Sequence, residues 1–172
     1  LLVGANFHLD FRADATSAST IGYLFVYCGL IGAVVQGGAI GRLVKRMGEP
    51  KLIALSLVLT AISLAWMPFI KGASQLSLKV LFQHEGLPWV WLLMALALLS
   101  VGTSLTRPPL FGLLSNLTPD SEQGATIGVA QGAGSLARIL GPIFATALLP
   151  WLPSLPYLIC AAVLLGTTVF VG

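Results

Sequence analysis

Five stretches of this chain run for about 20 residues or more with scarcely a charge in them, the length an α-helix needs to cross a bilayer's hydrocarbon. They are Ser17 to Ile40, Lys51 to Ile70, Trp89 to about Leu114, Ser121 to Leu149 and Pro153 to Gly172. In hydrocarbon each segment must satisfy its own backbone N–H and C=O groups, so these stretches are expected as helices. Residues 1–7 read as the tail of a preceding span. The expected fold is therefore all-α, a polytopic transmembrane helix bundle. Composition agrees: of 172 residues 56% are hydrophobic and 9% charged, against about 25% charged in a soluble domain. Fifteen charges cannot coat such a surface in water, so lipid must cover most of it. The chain begins on Leu1 and ends on Gly172 inside an apolar run, and reads as a piece of something longer.

Local signals mark the boundaries and the orientation. In "TPDSE" Pro119 suits a helix start, and Asp120 and Glu122 suit its first turn, where the helix dipole favours negative charge. Pro108 and Pro109 are expected to kink or break the lower part of the third span. Between the first two spans lie Arg42, Lys45, Arg46 and Lys51 against Glu49 alone. The positive-inside rule places that connection in the cytoplasm. With alternating spans, Trp66, Trp89, Trp91 and Trp151 then fall at the opposite interface, as an aromatic belt. The long connection 71–88 contains "LSLKVLF", too short to span and suited to an interfacial segment.

Two spans carry small residues every four positions: Gly29, Ala33, Gly37 and Gly41 in the first, and Gly124, Gly128 and Gly132 in the fourth. Such stripes let helix backbones approach closely in lipid. The fourth span also has a polar face. At about 100° per residue, Gly124, Gly128, Gln131, Ser135, Arg138, Pro142 and Thr146 share an arc of about 80°. Arg138 lies near mid-span, where an arginine costs about 2.5–3.5 kcal/mol on the insertion scale. Every Asp and Glu of the chain sits in a connection or at a helix end. Arg138 is left with backbone carbonyls, water, an anionic ligand, or an acid elsewhere in the protein. A structural arginine and a substrate or coupling arginine stand equally open here, and snorkelling is disfavoured by depth. Gln36, on one face with Gly29 and Gly32, suits the same cavity or an interhelical hydrogen bond. Tyr23 and Tyr27 suit an aromatic belt or packing, and Thr103, Ser104 and Thr106 suit bonds to their own helix.

Other chemistries find no support. Cys28 and Cys160 fall in apolar spans and read as small core residues. His84 beside Glu85 lacks the further ligands of a metal site, and "NLT" at Asn116 falls on the cytoplasmic side, where a glycosylation sequon is not used. There is no H-E-x-x-H, G-x-S-x-G or P-loop, so an enzyme or an ATP-driven pump is not expected, and no cofactor is implied. No basic patch with interleaved aromatics points to nucleic acid.

The connection "GRLVKRMGEPK", Gly41 to Lys51, resembles the signature loop of the major facilitator superfamily, G-x-L-a-D-R-x-G-R-R/K. Gly41, Leu43, Arg46 and Gly48 match; Lys45 stands where the family has aspartate, and "GEPK" replaces the basic end. "LTPDSEQGATIGVAQGAGSLARILGP" is similar to the helix 10–11 junction and helix 11 of drug:proton antiporters, including tetracycline-efflux-like members. "ARILGPIFAT" is similar to a degenerate antiporter signature g-x-x-x-G-P-x-x-G-G, with Ala137, Ala145 and Thr146 in glycine positions.

The resemblance implies that residues 1–172 are the C-terminal half of a 12-helix transporter: helices 8 to 12 with the tail of helix 7, a partial six-helix half. It implies alternating access, in which two halves rock around a central site. Gln36, Gln131, Ser135 and Arg138 would then line the substrate path. Gly41, Leu43, Lys45, Arg46 and Gly48 would form a gating loop, and Gly124, Gly128, Gly132, Gly141 and Pro142 would serve helix packing. The implied partners are a small-molecule substrate, the lipid bilayer, the N-terminal half of the same chain, and protons, whose coupling acid would lie in that half. The implied function is drug:proton efflux across the cell membrane. The alternatives are transport of sugars, metabolites or organic anions, and, in another class, a membrane assembly or receptor protein that transports nothing.

Overall fold

The computed structural model describes residues 15–71, 87–148, 150 and 152–171. Helix α1, Ala15–Val34, passes through a five-residue π-helical turn, Val35–Ala39, into α2, Ile40–Met47. Helix α3, Glu49–Trp66, ends in a 3₁₀ turn at Met67–Phe69. Then come α4, Leu87–Leu117, α5, Gln123–Leu148, and α6, Leu155–Val171. Residues 1–7, "LSLKVLF" and Trp151 lie outside the described residues. Among the described residues, three helices are long and apolar enough to span a membrane: Ser19–Met47, Glu49–Phe69 and Leu87–Leu117. The fourth expected span, α5, is long enough at 26 residues, but its glycines, Gln131 and Arg138 lower its apolarity. The fifth, α6, is strongly apolar and has 17 residues.

Helix α3 is the centre of the assembly. It packs along α4 on one side and α6 on another, and α1 rests on α4. The end of the bundle away from Gly48 holds the apolar core: Leu24, Ile70, Trp89, Leu92 and Ala95, with Trp66, Leu93 and Leu96 packed against them. Below that core the α3–α4 contact is made by small polar residues. Ser63 Oγ donates to the Ala95 carbonyl at 2.7 Å, and Thr106 Oγ1 donates to Ser56 Oγ at 3.0 Å. Ser56 and Thr60 also return their hydroxyl protons to carbonyls of α3, at 2.7 and 2.8 Å. Gly102 is what lets the backbones meet: a Cβ there would lie 3.0 Å from the Thr60 nitrogen and 3.1 Å from the Ser56 carbonyl oxygen. In lipid the hydrophobic effect gives helices little reason to associate, so close packing and interhelical hydrogen bonds take over.

Several sequence expectations change. The connection Gly41 to Lys51 is mostly helix: Gly41, Leu43, Lys45 and Arg46 lie in α2. The chain reverses at Gly48, whose φ of 78° and ψ of 162° fall in a region that is essentially glycine's alone. The helix persists to Met47 because Ile40, Leu43, Val44 and Met47 give it an apolar face opposite its basic one. Pro108 and Pro109 do not break α4, which runs unbroken through both; neighbouring helices can compensate for a proline's missing bond. Trp89 is fully buried in the core and is no belt residue. Trp66 and Trp91 pack on each other, ring centroids 5.1 Å apart. Helix α5 starts at Gln123, and Asp120 precedes it, accepting from Gln123 Nε2 at 3.1 Å.

Candidate functional site

Helix α5 differs from its neighbours in having no buried residue. Its half-buried positions nearly all fall on one line: Gln123, Ile127, Ala130, Gly134, Ala145 and Leu148 share an arc of about 60°. Helices α4 and α6 are the elements that pack against α5. The stripe Gly124, Gly128, Gln131, Ser135, Arg138, Pro142 and Thr146 lies about 90° round the helix and is exposed throughout. A groove of about 400 Å³ between α4 and α5 is lined by Leu114, Ala125, Thr126, Val129 and Ala130, none of them in the stripe.

The small hydroxyls of the stripe are satisfied locally. Ser135 Oγ donates to the Gln131 carbonyl at 2.9 Å. Thr146 Oγ1 donates to the carbonyls of Pro142 at 2.8 Å and Ile143 at 3.0 Å. The larger polar groups are not. Among the described residues neither the Gln131 amide nor the Arg138 guanidinium has a hydrogen-bond or ion-pair partner. Arg138 lies about 4 Å along the axis from the midpoint of α5. The described acids, Glu49, Asp120 and Glu122, all stand at helix ends. The stripe therefore presents one permanent cation and one amide, both able to donate hydrogen bonds, at mid-helix on an open face.

Gln36 sits apart from that face. It is exposed within the π turn, where the Ile40 N–H reaches back to the Val35 carbonyl. The wider turn, which includes Gly37 and Gly38, shifts the helix register, and turns of this kind recur at functional sites. Among the described residues no bond joins Gln36 to Arg138, and α4 is the helix that packs with both α1 and α5.

The glycines expected to mediate packing face open space. Beyond the adjoining backbone of its own helix, no described atom lies within 4 Å of a Cβ built at Gly29, Gly37, Gly41, Gly124, Gly128, Gly132 or Gly141. Pro142 is exposed, and α5 continues through it. The close approaches occur instead at Gly102 on Thr60 and Ser56, at Gly32 on Ser104 Oγ at 3.0 Å, and at Gly112 on Glu49 Oε1 at 2.7 Å. Ser100 Oγ donates to the Cys28 carbonyl at 2.6 Å and fastens α1 to α4. The sequence held a signal for the α3–α4 seam, since Ser56, Thr60 and Ser63 recur at helical spacing on one face. Hydroxyl stripes do the packing work here that glycine stripes do elsewhere in lipid.

At the basic end, α2 presents Arg42, Lys45 and Arg46 on one face, all exposed. Glu49 at the start of α3 accepts from Asn116 Nδ2 with both carboxylate oxygens at 3.3 Å, which ties the turn to the end of α4.

Residues 2–172 match the family model of the Major Facilitator Superfamily. Over 123 residues, 72% of this chain, the sequence is 24% identical to the tetracycline resistance protein, class B, of Escherichia coli. Over 141 residues, 82% of this chain, it is 26% identical to the multi-drug resistance efflux pump PmrA homolog of Lactococcus lactis subsp. lactis (strain IL1403). The matched regions make up 26% and 29% of those proteins, so the chain spans under a third of either. No solved structure matches it.

Proposed function

Because this chain belongs to the Major Facilitator Superfamily, a family of membrane transporters, we propose that it forms the C-terminal half of a proton-coupled efflux transporter of the cell membrane. Its helices are then the second half's share of an alternating-access bundle, with the α2–α3 turn in the cytoplasm, where the excess of Arg and Lys belongs. Two relatives whose names carry tetracycline resistance and multi-drug efflux support the drug-export reading.

The observation that carries the site assignment is the exposed stripe of α5, with Arg138 at mid-helix and without an acid among the described residues. A cation at that depth needs water or a counter-group, and a water-filled substrate path supplies both. Gln131, Ser135 and Arg138 form the α5 wall of that path, and Gln36 contributes from the π turn that follows α1. The coupling acid belongs to the N-terminal half. Substrate efflux and proton counterflow, measured on the full-length protein in sealed vesicles, test this. Arg138→Ala and Gln131→Ala each lower transport at least tenfold at normal expression; wild-type rates in both variants would remove these residues from the path.

A second reading follows from the same cation. Arg138 offers a substrate carboxylate or phosphate a charge-assisted hydrogen bond, which suits organic anions or acidic metabolites. Competition separates the two: lipophilic cations inhibit uptake into inverted vesicles under the first reading, and organic anions under the second.

A further inference from the structure

The helix that begins at α1 is too long for its membrane. Ser19–Met47 is one continuous helical stretch of 29 residues, about 43 Å at 1.5 Å per residue, against about 30 Å of hydrocarbon. The run from Ile21 to Gly41 carries no charge, and about 20 residues cross the hydrocarbon, so the crossing ends near Ile40, where α2 begins. Helix α2 therefore lies at headgroup depth. Its Leu43 and Val44 are half-buried against the bundle, while Arg42, Lys45 and Arg46 share an exposed arc of about 100°. Lys51, exposed on the first turn of α3, adds a fourth cation across the Gly48 turn.

The one acid of this segment does not neutralise them. Both oxygens of Glu49 are engaged by Asn116, and none of the four cations has an ion pair among the described residues. Four cations at headgroup depth on an unpartnered face are the complement of a row of lipid phosphates. From this geometry we infer that Arg42, Lys45 and Arg46 of α2, with Lys51, form a site for anionic phospholipid headgroups that holds the cytoplasmic end of α1–α2 to the inner leaflet. Arginine forks give it bidentate phosphate contacts and the lysines add point charges. The site rests on helix length and charge, and stands apart from the efflux reading.

The test uses the full-length protein, exposed to vesicles of phosphatidylcholine alone or mixed with phosphatidylglycerol, then analysed for retained lipid by native mass spectrometry. Wild-type protein retains phosphatidylglycerol in preference to phosphatidylcholine. The preference collapses near 1 M salt, where the screening length is about 3 Å. Affinity for phosphatidylglycerol falls roughly fivefold for each charge removed in Arg42→Gln, Lys45→Gln and Arg46→Gln. Lys71→Gln at the opposite end leaves it unchanged. Single variants are read alongside the triple one, so a triple variant that fails to assemble does not block the result. Undiminished retention in the variants would overturn the inference. So would equal loss of stability in both kinds of vesicle, which would make the basic face a contact with protein. Displacement of the lipid by inorganic phosphate at matched ionic strength would also overturn it, since the site would then be one for free anions.

Discussion

The α3–α4 seam and the outer face of α5 are built from the same kinds of residue, and they end in opposite states. Along the seam Ser56, Thr60, Ser63, Gly102 and Thr106 are buried or half-buried and every hydroxyl has a partner. Along α5 Gly124, Gly128, Gln131, Ser135 and Arg138 are exposed, with the two largest polar groups unpartnered among the described residues. Small and polar residues at helical spacing thus serve two purposes in lipid. Where each polar group can be satisfied by the facing helix, they weld a pair together. Where a charge too large for that exchange is added, the face needs water or a ligand.

Substitutions should separate the two regions by which property they move. Gly102→Leu forces a side chain into the Thr60 and Ser56 backbone and should cost about 3 kcal/mol, at the upper end of overpacking penalties, read as a collapse of thermal stability in detergent. Its counterpart Gly128→Leu, with open space around it, should leave the stability of this half within about 0.5 kcal/mol of wild type. If both were equally destabilising, the two faces would not differ as described. Gly48→Ala belongs with the closed region: its φ of 78° carries a strain of about 2 kcal/mol for a residue with a Cβ, again read as a lower melting temperature. Ser63→Ala removes one bond to the Ala95 carbonyl and should cost about 0.6 kcal/mol, the average for such bonds in membranes. Ser135→Ala should barely change stability, because its bond runs to its own helix; its effect is expected in transport instead.

Much of this arrangement was legible in the chain. Length and apolarity gave the helices, since a membrane leaves few alternatives, and periodicity gave the shared face of Gln131, Ser135 and Arg138. What escaped was decided by neighbours. The direction of the glycine faces depends on which helix lies opposite, and the half-buried line of α5 lies a quarter turn or more away from Gly124, Gly128 and Gly132. Trp89 carries the same composition signal as Trp91, yet two positions along a helix place one in the core and leave the other exposed. The persistence of α2 turned on an eight-residue amphipathic pattern hidden inside a signature that reads as a loop. The π turn at Gln36 has no sequence signal beyond the pair Gly37 and Gly38.

The central claim is that the α5 stripe faces the substrate path, and cysteine accessibility tests it most directly. With Cys28 and Cys160 replaced by serine, a cysteine introduced by Ser135→Cys is exposed to a membrane-impermeant thiol reagent in the full-length transporter. The account predicts rapid labelling that a transported compound slows, whereas Leu136→Cys, one residue along the same helix and off the stripe, stays unlabelled. Failure of Ser135→Cys to react, or labelling that no substrate affects, would contradict it.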